Sequence, residues 1–76
     1  MLKDDALRLI DEELSRACEK FNKYNSDHEG YAVIKEELDE LWEEVKTKRS
    51  ERDRDKLRNE AMQVATTALR FMVDLC

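Results

Sequence analysis

Apolar residues recur along this chain at spacings of three and four, the repeat of one face of an α-helix. They do so in three separate stretches. In the first, Ala6, Ile10, Leu14, Ala17, Phe21 and Tyr24 form a stripe that Leu7 and Cys18 widen, and the spacing predicts a helix over about residues 3–24. In the second, Tyr31, Ile34, Leu38, Leu41, Trp42 and Val45 share a face, which predicts a helix from about Asp27 to Lys48. In the third, Leu57, Ala61, Val64, Ala65, Ala68, Met72 and Leu75 do the same, with Phe71 at one edge and Met62 and Leu69 beyond the other. That pattern predicts a helix from about Arg54 to Leu75, and its width and alanine content fit contact with more than one neighbour.

The intervening stretches carry turn and cap chemistry. Asn22 through Asp27 is rich in residues that favour turns, and Ser26 followed by Glu29 fits a capping box. Thr47 through Asp55 contains no apolar residue, and Asp53 is the natural N-cap of the third helix. Gly30, the single glycine, falls in the first turn of the second helix, where it would admit a close neighbour. With no proline, one glycine and 43% charged residues, little is left from which to build strands or long loops. The expected class is all-α: one domain over residues 1–76, with three long helices that alternate in direction because the turns are short.

A chain of 76 residues rarely buries a self-sufficient core. Its two cysteines do not form a disulfide framework: Cys18 reads as buried filler, and Cys76 has no assigned role. Assembly with copies of itself, as a homodimer or homotetramer, is the expectation. The net charge is −5 and the basic residues are interspersed with acids, so no nucleic-acid partner is expected. Arg8, Asp11, Glu12, Glu13, Arg16 and Lys20 read as a solvated outer face. His28, the only histidine, reads as a surface or capping residue. No apolar run approaches the ~18 residues that span a bilayer, and the first residues lack the apolar stretch of a signal peptide. A cytoplasmic protein without a membrane partner is expected.

The candidate chemistry lies in Glu36–Val45, which packs six carboxylates and four apolar residues into ten positions. On a helix, Glu37, Glu40 and Glu44 line one edge of the apolar stripe. Shifting this helix by 23 residues places Glu37 on Glu60, Glu40 on Gln63 and Glu44 on Thr67, with the apolar positions also in register. Two helices packed by these stripes would turn both polar edges into one groove. Carboxylates crowded at a core edge favour a hard divalent cation such as Mg²⁺, which takes oxygen ligands and commonly bridges to phosphates.

Glu37-Leu38-Asp39-Glu40 and, after 19 intervening residues, Glu60-Ala61-Met62-Gln63 resemble the split acidic motif of the MazG-like all-α nucleoside triphosphate pyrophosphohydrolases, Glu-x-x-Glu then Glu-x-x-Asp. The flanking His28 to Ile34 and Glu60 to Leu75 also look like small MazG-like proteins of phage and bacterial genomes, so the resemblance covers about two thirds of the chain. It implies an oligomeric helical bundle and Mg²⁺-dependent cleavage of a nucleoside triphosphate to monophosphate and pyrophosphate, with Mn²⁺ as an alternative ion. Glu37, Glu40 and Glu60 would be the catalytic metal ligands, with Glu44 a further one. Lys56, one turn before Glu60 on the same edge, reads by its position as in reach of a substrate phosphate, with Gln63 as a second substrate contact. Gln63 departs from the motif, because an amide offers a carbonyl oxygen but no charge. Two other readings stay open: a homologue that binds nucleotide or metal without turnover, and a structural or protein-binding helical module.

Overall fold

The computed structural model describes residues 1–76. It consists of α1 (Lys3–Lys20), α2 (Asp27–Val45), one 3₁₀ turn (Arg49–Glu51) and α3 (Arg54–Leu75), with no strand. The third helix has the predicted bounds. The first two end early. At Phe21 the chain turns extended, and from there it runs across α3, so Tyr24 is buried in a loop and not on the end of α1. The second helix stops at Val45 because the polar run after it leaves nothing to bury, and the backbone tightens into the 3₁₀ turn instead.

Caps fix both remaining helix starts. The Ser26 hydroxyl accepts the Glu29 N–H at 3.1 Å. The Glu29 carboxylate reaches one residue further back than a capping box requires, to the Asn25 N–H and side-chain amide. Asp53 accepts from the N–H groups of Asp55 and Lys56.

α3 is the hub of the molecule: both α2 and α1 pack against it. The start of α2 meets the end of α3, since a Cβ placed on Gly30 would lie 2.6 Å from Cδ2 of Phe71. Those two helices are therefore antiparallel, and the missing side chain lets them close. Contacts of α1 with α3 advance together, from Glu13 at Gln63 to Asn22 at Arg70, so this pair runs parallel. The order is up, down, up.

The packing departs from the predicted core faces. Only Tyr24, Gly30, Thr66, Thr67 and Arg70 are buried, so the chain has almost no apolar interior. The α2 stripe is largely open: Tyr31 is 64% exposed, Leu38 49% and Trp42 59%. Leu7 and Phe21 are also exposed, as is Cys18, which is not buried filler. The reason is geometric. α2 turns its Gly30–Val33–Glu37 side toward α3 and the groove, which leaves the wider apolar stripe without a partner inside one chain.

The buried contacts are polar. Arg70 donates to Asp74 at 3.2 Å and to the Asn22 carbonyl, and its guanidinium lies 4.7 Å from the Tyr24 ring centroid. Asp74 also accepts the Tyr24 N–H at 3.2 Å. These bonds lash the α1–α2 loop to the last turns of α3. Removing one partner of such a pair leaves an uncompensated buried charge, which costs ~3–5 kcal/mol. Asp74→Ala is therefore expected to lower stability by about that amount and to free the loop. Urea titration and amide exchange at residues 21–25 measure both effects; an unchanged transition would refute the clamp.

Candidate metal centre

Helix periodicity sets Glu37 and Glu40 one turn apart on α2, and the antiparallel packing brings Glu60 of α3 opposite them. One carboxylate oxygen from each of Glu37, Glu40 and Glu60 falls within a 4.8 Å group. Glu37 and Glu60 are half-buried and Glu40 is exposed. Glu44 stands outside this group, although its charge is felt at Glu60. The cluster opens into a groove of about 660 Å³ at the junction of all three helices and the α1–α2 loop.

The electrostatics follow from crowding. Burial pushes the Glu37 carboxyl up to about 7, and the charge of Glu40, a hydrogen bond with Glu40 and the charge of Glu60 add to the effect. Glu60 is also raised, first by burial and then by the Glu40 and Glu44 charges. Glu37 and Glu60, crowded against Glu40, therefore hold a proton more tightly than solvated carboxylates do. A divalent cation would remove that repulsion, and the hard oxygen set fits Mg²⁺ or Mn²⁺.

The groove also has uncommitted polar atoms. The Tyr24 and Thr66 hydroxyls and one Glu60 oxygen are buried without a hydrogen-bond partner, and all three residues line the groove. Burial raises the Tyr24 phenol above its ordinary range. The charges of Asp74, Glu37 and Glu29 act in the same direction, against the opposing effect of Arg70. Thr67, in contrast, is satisfied by its own helix through the Gln63 and Val64 carbonyls.

The expected substrate residues separate. Gln63 lines the groove, and its amide donates to Glu13 at 3.1 Å. Lys56 is exposed and off the groove wall; the cations on that wall are Arg16, Lys23 and Arg70. Two residues went unread in the sequence. Glu13 was assigned to a solvated face, yet it stands three residues after Ile10 and four before Ala17, on the half-buried stripe of α1. Arg70 continues the polar edge of α3 through Glu60, Gln63, Thr67 and Asp74, a spacing that marks a polar face before any contact is known.

Compared with family models, curated proteins and solved structures, the chain matches none. The chemistry of the site therefore rests on its own geometry. No helix is long and apolar enough to cross a membrane.

A carboxyl whose folded value is raised binds its proton more tightly in the native state than in the unfolded chain. Stability from Glu37 is then fully present below pH 4.5 and is lost as pH rises to about 7. Melting temperatures measured across that window without divalent ions are expected to fall with pH. Glu37→Gln should flatten the slope and raise stability at its upper end; an unchanged slope would remove Glu37 as its source.

Proposed function

We propose that this protein is a MazG-like, Mg²⁺-dependent nucleoside triphosphate pyrophosphohydrolase, with Glu37, Glu40 and Glu60 as its metal ligands. The carrying observation is the convergence of those three carboxylates, from two helices, within 4.8 Å. Bound there, Mg²⁺ would offset phosphate charge and lower the pKa of a water. The chain itself contributes an acid, Glu37, that releases its proton near neutral pH when a cation replaces it. In this reading Lys23, on the groove wall and free of ion pairs, would meet phosphate oxygens, and the exposed Phe21 ring at the same wall would stack on a base. Incubating the protein with a nucleotide panel and Mg²⁺ should yield monophosphate and pyrophosphate, and Glu37→Gln should yield neither. Absence of both products with the unaltered protein would refute the enzyme reading.

A second reading, binding without turnover, is favoured by one observation: position 63 carries an amide already engaged by Glu13. Calorimetry that finds nucleotide and Mg²⁺ binding, with no products formed, selects it.

The working form in this proposal is a homodimer or homotetramer in the cytoplasm. Support comes from surface area. A folded 9.1 kDa monomer exposes ~4,900 Å² by size scaling. This protomer exposes 5832 Å², an excess of about 900 Å² against the ~800 Å² that each partner buries in a standard interface. The open α2 stripe around Leu38 and Trp42 is the face to cover. Trp42, the only tryptophan, reports on it: its fluorescence should be shielded from acrylamide at high protein concentration and quenched on dilution, with sedimentation showing the matching change in mass. A monomer at all concentrations would refute the assembly.

A further inference from the structure

Gln63 stands where the acidic motif has its second aspartate, and the structure gives that position an unexpected neighbour. Its side-chain nitrogen donates to a Glu13 oxygen at 3.1 Å, across the α1–α3 interface. The orientation of the amide is fixed by chemistry. A carboxylate only accepts, so the NH₂ end must face Glu13 and the carbonyl end must face away. Glu13 is therefore held by α3 as well as by its own helix. Its side chain is 14% exposed, whereas that of Arg16, which pairs with it, is 56% exposed. An ion pair this open on one side adds little to stability. Stability alone therefore gives no account of a carboxylate drawn into the groove wall.

We propose that Glu13 is the fourth carboxylate of the cation site, acting on the ion's water shell, and that Gln63 is the residue that positions it. The inference rests on the cation reading of the groove given above. Glu13 lines the same groove as Glu37, Glu40 and Glu60 but stands outside their 4.8 Å group, which fits contact through water and not direct ligation. Mg²⁺ retains several waters, and each needs an acceptor. A hydrogen bond from Arg16 lowers the Glu13 carboxyl below its ordinary range, which suits an acceptor for that water shell. The acids are not the only features that point to a ligand. Tyr24 is 8% exposed and Thr66 2% exposed, and both line the groove with unpartnered hydroxyls. On this account the charge absent from position 63 is supplied from α1, and the amide is the link that keeps it there.

Calorimetric titration of the protein with Mn²⁺ or Mg²⁺ alone tests this without reference to turnover. Glu13→Gln is expected to weaken binding ~10-fold, the lower end of what loss of an outer-shell partner costs. Gln63→Leu should weaken it by a similar factor, and the double variant should be no weaker than either single one, because both break the same link. Gln63→Asp introduced into Glu13→Gln should restore affinity, which also shows that the background is folded. If Glu37→Gln abolishes binding while Glu13→Gln leaves it unchanged, the role of Glu13 is overturned and the metal centre stands. If the two single losses add, the positioning role of Gln63 is overturned. If the unaltered protein binds neither ion, the cation reading fails and this inference fails with it.

Discussion

Arg70 occupies the place that an apolar core would fill in a larger protein. Its guanidinium bonds Asp74 within α3, reaches the Asn22 carbonyl and lies against the Tyr24 ring, while Asp74 takes the Tyr24 N–H. The α1–α2 loop has no other buried anchor, because Tyr24 is the only apolar side chain in the buried set. A charge removed from water is costly unless it is paired and hydrogen-bonded on all sides. The loop must therefore close over α3 in one geometry. That geometry forms one end of the groove, and through the directions of α1 and α2 it sets where Glu13 and Glu37 arrive.

The groove reflects a balance between packing and repulsion. Antiparallel closure of α2 on α3, made possible by the absent side chain at Gly30, carries Glu60 toward Glu37 and Glu40. Glu37 and Glu60, crowded at that separation against Glu40, hold protons above their ordinary range. Along α1 the opposite holds: hydrogen bonds from Arg16 and Gln63 lower the Glu13 carboxyl. Acids of two characters thus share one cavity, and the difference comes from their neighbours and not from the residue type.

Much of this was legible in the residues. The 3.6-residue period gave three helices, and the end signals gave the α3 bounds because Asp53 caps a stripe that runs unbroken to Leu75. The ends of α1 and α2 were read too long: Tyr24 fits the helical spacing, but its burial under Arg70 is a long-range contact that periodicity does not contain. The same limit applies to the stripes. Periodicity shows that Leu38 and Trp42 share a face, but not whether the rest of the chain covers that face, and here it leaves both exposed.

Local pattern by itself determined that there are three helices, and it set Glu37 and Glu40 on one edge and Glu60 on the edge of another helix, since both follow from backbone geometry over a few residues. Only the tertiary structure decided that these edges face each other, that Lys56 lies off the groove wall, and that Glu13 joins the wall through Gln63. Those outcomes depend on the rotation of each helix about its own axis. That rotation is set by Gly30 against Phe71 and by Arg70 against the loop, contacts between residues about 40 to 50 positions apart, and no window along the chain holds both partners.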